Sequence, residues 1–167
     1  MSGGSLAAAL AFMLLTVSRA EAATSDAMHD RPIVGSCIRS TAGDRSWLEK
    51  TLWGLYDQER GWSGAEVLNR NGTFDLGPLQ VNSSWVPAIS VLLRRDARDV
   101  RRWIKDDTCF NVGIAAWLFL SGYSRNRDYW EAVGAYHSPT AWRARGYARE
   151  VAAKLQLRFG YRIFSRR

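Results

Sequence analysis

The chain has 167 residues, 47% of them hydrophobic and 23% charged, and carries a formal net charge of +7 with a pI near 9.9. That length and composition fit a single globular domain and give no reason to expect a second one. The excess of base points to a polyanionic partner, whether nucleic acid, an acidic envelope polymer or a membrane surface.

At the N-terminus, Leu6 to Val17 is an apolar run, too short to span a bilayer at about 20 residues. Ala20-Glu21-Ala22 follows it with an A-x-A cleavage pattern, so residues 1–22 read as a secretory signal peptide. Met1 to Ser5 holds no Lys or Arg, which leaves an uncleaved anchor open. Export makes DNA the weaker choice of partner, and no nucleic-acid motif is present. Residues 23–36, with Pro32 and Gly35, read as an exposed, irregular lead-in.

Cys37 and Cys109 are the two cysteines. An even count in an exported chain argues for one disulfide, and with His29 and His137 they show no metal-ligand spacing. The domain proper is expected over 37–160. Within it, Ser46 and Glu49 form a capping-box signature and Gly61 supplies a helix exit. Between them Leu48, Leu52, Leu55 and Glu59 are spaced to share one helical face. An apolar stripe thus ends in an acid. Burial and the negative end of the helix dipole both favour its neutral form, which suits a general acid; alternatively, Glu59 frays into solvent.

Trp62 to Asn71 is mixed in character and leads to Asn71-Gly72, a hairpin turn signal. Thr73–Gly77 and Leu79–Asn82 alternate as short strands. Ser84 is a candidate start for a helix bearing Trp85, Ile89 and Leu92 or Leu93, with Pro87 in its first turn. Arg94, Arg95, Arg98, Arg101 and Arg102 form the densest basic patch, and Arg143, Arg145 and Arg149 a second; both also fit solvated helix faces. Asp107 or Thr108 starts a helix with Cys109, Val112, Ala116 and Phe119 or Leu120 inward, stopped by Gly122. Tyr129–Tyr136 is a short helix. Thr140 opens the longest one, with Ala144, Ala148, Val151, Leu155 and Phe159 on a stripe and Gly160 at its end. Residues 161–167 form a basic tail. Eight tryptophans should mostly be core, with one or two left to hold sugar rings.

Glu59-Arg60-Gly61, the block Asn71-Gly72-Thr73-Phe74-Asp75-Leu76-Gly77-Pro78-Leu79-Gln80-Val81-Asn82-Ser83-Ser84-Trp85, Cys109-Phe110-Asn111-Val112 and Ala135-Tyr136-His137 together resemble the soluble lytic transglycosylase domain. The likeness is to its small branch associated with secretion systems and conjugation, and it covers about Cys37 to Val151. It implies a mostly helical α+β, lysozyme-like fold with a small β-hairpin region. It also implies cleavage of the β-1,4 bond between N-acetylmuramic acid and N-acetylglucosamine. In that family's terms Glu59 matches the catalytic acid, Gln80 and Asn82 line the sugar cleft, and Tyr136 approaches the acid from the opposite wall; the branch also carries a bridged cysteine pair. Arg60 stands where the family has Ser, Pro78-Leu79 where it has Leu-Met, and His137 where it has Asn.

The resemblance implies no metal or cofactor and a monomer with no stable membrane insertion after signal cleavage. Its partners would be glycan strands and components of a type III or type IV secretion or conjugation system. Ordinary glycosidases pair two carboxylates. Here Asp57 points away along the helix, and Asp75 either anchors its turn or faces the cleft as a secondary acid. Three outcomes stay open: a single-acid transglycosylase, a hydrolytic muramidase using Asp75, and a weakly catalytic wall-binding assembly factor.

Overall fold

A computed structural model describes residues 25–26 and 29–164, apart from the side chain of Asn126. The expected signal peptide and the last three residues of the tail lie outside this range. The protein is a mostly helical α+β domain. Helix α1 covers 29–42 in its described part, and α2 is Ser46–Glu59. Strands β1 (Glu66–Leu68), β2 (Phe74–Leu76) and β3 (Val81–Asn82) follow. Then come a 3-10 turn at Ser83–Trp85 and helices α3 (Val86–Leu93), α4 (Ala97–Asp106), α5 (Thr108–Asn126), α6 (Tyr129–His137) and α7 (Ala141–Phe159). A last 3-10 turn occupies Tyr161–Phe164.

The expected irregular lead-in is instead the body of α1, which runs through Pro32 and Gly35. Val34, Cys37, Ile38 and Ala42 recur at helical spacing and are fully buried, so this segment belongs to the core. Arg45 joins α1 to α2. Its guanidinium donates to the carbonyls of Thr41 and Ala42, while its own carbonyl accepts from Leu48 and Glu49. The capping box is therefore not formed: Arg45 holds the cap position, and Ser46 is already helical.

Along α2, Leu48, Leu52 and Leu55 are fully buried. Gly54 lets the helix lie against α7, since a Cβ there would sit 2.9 Å from Leu155. Thr51 joins α2 to α6 through a 2.9 Å hydrogen bond with Tyr129. At the outer end of the α2–α7 contact, the Asp57 carboxylate accepts two bonds from Arg158, at 2.6 and 2.7 Å, and Arg158 covers the Trp53 ring at 3.9 Å. Arg31 of α1 adds a third contact to Asp57 at 3.2 Å.

The sheet is antiparallel, in the order β1-β2-β3, with Val67 opposite Asp75 and Asp75 opposite Asn82. The Asn-Gly signal does mark the turn between β1 and β2, where the Asn71 side chain accepts from the Thr73 amide. The first strand, however, comes from the stretch expected to be mixed. Asp107 caps α5 by accepting from the Phe110 amide, and Gly160 closes α7 at φ +84°. Helix α5 continues past Gly122, which packs beside Ala132 of α6. None of the eight tryptophans is fully buried; all are half-buried or exposed, and the core is mostly aliphatic, with Phe119 its largest fully buried side chain. A ring of that size seldom loses all contact with water in a small domain.

Cys37 and Cys109 form a disulfide across a sequence separation of 72, pinning α1 to the start of α5, with Cys109 on the exposed side. A Cys37→Ser, Cys109→Ser variant is expected to lose about 4 kcal/mol by the chain-entropy argument. The melting temperature, read by circular dichroism, should fall by roughly 10 °C. A fall of only a degree or two would mean that the packing of α1 suffices without the bond.

Candidate active site

Glu59 is the last residue of α2, one turn beyond Leu55 on the same stripe, and it is carried inward with that stripe rather than fraying out. Burial pushes its carboxyl up to about 7, and the charges of Asp75 and Glu150 push the same way. A hydrogen bond from Tyr147 pulls in the opposite direction but does not cancel the burial. The Tyr147 hydroxyl donates to Oε1 of Glu59 at 2.5 Å. Oε2 makes no hydrogen bond to a described residue, and no buried side-chain polar atom among these residues lacks a partner, so Oε2 keeps access to solvent. One oxygen is fixed and the other is free to carry a proton outward.

Arg60 does not interfere. It ends α2 in a left-handed conformation, φ +54°, which turns its exposed side chain off the helix line; its Nε approaches the carbonyl of Asp57 at 3.4 Å. Gly61 is thus not the helix exit. Its role is close approach: a Cβ there would fall 2.3 Å from the Gly77 carbonyl and 2.8 Å from Gln80 Nε2. Only glycine lets the end of α2 rest directly on the 77–80 turn.

Of the expected sugar-lining residues Gln80 lies in that turn and Asn82 in β3, and the structure uses them in different ways. Gln80 sits at φ +49°, and its side chain folds back so that Nε2 donates to the Gly77 carbonyl at 2.8 Å. Its Oε1 makes no bond within the described residues. Asn82 is fully engaged: Nδ2 donates to Asp75 at 2.8 Å and to Thr73 Oγ1 at 2.9 Å, while Oδ1 accepts from the Ser84 amide. Asp75 therefore braces the sheet through a side-chain amide, not through the backbone amides expected of a turn anchor. Its charge still reaches Glu59. Asp57, expected to point away, is committed to Arg158.

Tyr136 stands beside the acid but does not bond to it. Its hydroxyl donates to the Leu79 carbonyl at 2.8 Å and so fixes the turn that carries Gln80. Its ring stacks on that of Tyr147 at 6.5 Å, and the His137 ring also stacks on Tyr147, at 4.8 Å with planes 2° apart. Burial, and then the charge of Glu59, raise both phenols well above their ordinary value, so they remain donors. Tyr147 belongs to none of the motifs legible in the sequence. The available signal was a phenol lying between Ala144 and Ala148 on an otherwise aliphatic stripe.

Behind the turn, Asn111 on α5 is completely buried. Its Nδ2 donates to the carbonyls of Leu76 and Ile104, and its Oδ1 accepts from the Leu79 amide at 2.9 Å. This one side chain connects α4, α5, β2 and the turn. A groove of about 600 Å³ between α6 and α7, walled by Trp130, Ala135, Ala144 and Arg149, does not include Glu59 or Tyr147. Among the described residues no cluster of His, Cys, Asp and Glu is arranged to hold a metal.

Chemically, the arrangement is a neutral acid poised near pH 7, with one oxygen oriented and one free. Removing the Tyr147 hydroxyl takes away the one interaction here that favours the carboxylate. A Tyr147→Phe variant should therefore titrate Glu59 at a higher pH than wild type, as read by carbon-13 NMR of the carboxyl. Any activity that depends on the acid should lose about tenfold at neutral pH, the worth of one hydrogen bond to a charged group. A downward shift in the titration would contradict this account of the bond.

No protein-family model matches the chain, and no curated protein matches it either.

Proposed function

We propose that the protein is an exported lytic transglycosylase with a lysozyme-like fold, which cleaves the β-1,4 bond between N-acetylmuramic acid and N-acetylglucosamine. The observation that carries this reading is Glu59, half-buried, raised to about 7 and held by Tyr147, while its acidic neighbours have other partners. Asp57 is paired with Arg158, Asp75 accepts from Asn82, and Glu150 accepts from Gln58. A pair of free carboxylates flanking a scissile bond, as an ordinary glycosidase requires, is not what these contacts suggest.

In the proposed reaction neutral Glu59 gives its Oε2 proton to the glycosidic oxygen, and the C1–O bond breaks as the muramic acetamido oxygen supports C1. The Glu59 carboxylate, with Oε1 still held by Tyr147, then takes the proton of the C6 hydroxyl. O6 closes on C1 to give a 1,6-anhydro ring, and the acid is restored. An intramolecular nucleophile has a very high effective molarity, so no water has to be positioned. The same group acts first as acid and then as base, for which an ionisation near 7 is well matched.

The disulfide and the absence, among the described residues, of a helix long and apolar enough to cross a membrane are compatible with export. The resemblance in the Asn71–Trp85 block supports assigning the protein to wall opening for a secretion or conjugation apparatus. Digestion of purified sacculi, read by mass spectrometry, tests the chemistry. Anhydro-muramic ends are expected. Reducing ends would instead assign a hydrolytic muramidase, a reading favoured only by the charge of Asp75 acting on Glu59. Intact sacculi that retain bound protein would assign a wall-binding assembly factor.

A further inference from the structure

The tip of α3 and the turn into α4 combine two features that nothing at the acid site requires. Val91, Leu92 and Leu93 are 80%, 59% and 39% exposed at the end of a helix whose other side, Val86 and Ile89, is buried. Beside them Arg94, Arg95 and Arg98 are exposed and form no ion pair with a described residue. The neighbouring arginines, by contrast, are occupied, Arg101 by Glu66 and Arg102 by Asp99. Asp96, the one acid between Val91 and Arg98, spends its side chain capping α4 at the Arg98 amide.

The turn itself is pinned. The Arg95 amide donates to the Ser90 carbonyl at 3.1 Å, and the Ser90 hydroxyl donates to the Arg95 carbonyl at 2.5 Å. Buried Val86 and Ile89 anchor the helix beneath it, so the aliphatic tips are held outward on a fixed mount.

We propose that this tip docks on an anionic membrane surface, with the three aliphatic side chains entering the headgroup boundary and the three arginines meeting lipid phosphates. Charge complementarity selects the partner: apolar side chains ringed by unpaired cations are what an interfacial segment on anionic lipid needs. The exposure agrees, because aliphatic side chains held in solvent can enter a fluid layer without a matching pocket. Protein interfaces centre instead on aromatic or arginine anchors set into pockets.

Residues 23–167 serve for the test, since every buried hydrophobic residue of the described fold lies between Val34 and Leu155 and the apolar leader would bind lipid on its own. Co-sedimentation with vesicles of 30% phosphatidylglycerol in phosphatidylcholine, against pure phosphatidylcholine, should show binding to the anionic vesicles that weakens as salt rises. An Arg94→Gln, Arg95→Gln, Arg98→Gln variant should lose roughly a hundredfold in partitioning, at about fivefold per arginine. Val91→Ser with Leu92→Ser should lose at least about tenfold. Arg143→Gln, Arg145→Gln, Arg149→Gln removes equal charge elsewhere and should lose less than about threefold, with all variants checked for wild-type melting.

Absence of binding to anionic vesicles at low salt overturns the proposal. So does an equal loss in the second arginine triple, or unchanged binding after the Val91 and Leu92 substitutions. Concentration-dependent dimerisation abolished by Leu92→Ser, without vesicle binding, would reassign the tip to a second copy of the chain and also overturn it. None of these readouts depends on cleavage of peptidoglycan.

Discussion

Glu59→Gln is expected to lower the release of anhydro-muropeptides from sacculi by roughly a hundredfold to ten-thousandfold, the usual contribution of a positioned general acid. The same substitution should make the fold more stable at pH 8. The reason is linkage. The carboxyl titrates at about 7 in the fold against 4.5 in the unfolded chain, chiefly because burial disfavours its charge. Below about pH 4.5 both states hold the proton and the group costs nothing. Between about 4.5 and 7 the unfolded chain ionises while the fold does not, and stability falls as pH rises; above 7 the loss levels off, on the order of 3 kcal/mol.

Gln cannot ionise, still accepts from Tyr147 through its carbonyl, and removes that loss. Urea denaturation of both proteins at pH 4 and pH 8 checks it. The stability advantage of Glu59→Gln should appear at pH 8 and vanish at pH 4. The wild-type rate, limited by the protonated acid, should decline as pH rises through about 7. Equal turnover by the two proteins would remove Glu59 from the reaction. An advantage of Gln independent of pH would show that the carboxyl is not desolvated in solution.

The second large effect is on stability. Asn111→Leu is expected to cost about 5 kcal/mol, since it keeps the side-chain volume but leaves two carbonyls and one amide without partners in a buried site, each costing about 1–3 kcal/mol. A value of that size is a large share of the stability of a domain this long. Because the Leu79 amide is one of the three groups, the loss should spread to the Gln80 turn and to the hydroxyl contact of Tyr136. Urea unfolding measures the first consequence, and backbone amide exchange at Leu79 and Gln80 the second. A loss below 1 kcal/mol would mean that water enters and satisfies the three groups.

Asn111 was legible in the sequence only as part of a motif. Nothing local says that its amide would connect four elements, because its partners Leu76 and Leu79 lie 35 and 32 positions away. The same division runs through the rest of the protein. The α2 stripe was readable because helical spacing alone places Leu48, Leu52, Leu55 and Glu59 on one side. The Asp107 cap and the Gly160 stop were readable because capping involves neighbours three or four residues apart. Residues 29–36 do not read as helix in the sequence because Pro32 and Gly35 outweigh Val34, and the rest of the buried stripe, Cys37, Ile38 and Ala42, lies beyond the expected lead-in. Helix α4 is hard to read from sequence for a related reason: its arginines dominate the stretch, while Val100 and Ile104 are the only two residues it buries.

That an apolar helix ends in an acid, and that two cysteines are available to join, can be read from the residues alone, since periodicity and count are local or compositional facts. What meets the acid depends on how the helices pack. Tyr147 lies 88 positions from Glu59, and its hydroxyl arrives at 2.5 Å because the α2–α7 packing at Gly54 sets the distance between the helices. Likewise Tyr136 went to the Leu79 carbonyl and Asn82 to Asp75, since a side chain's partner is fixed by where the assembled core places the competing donors and acceptors.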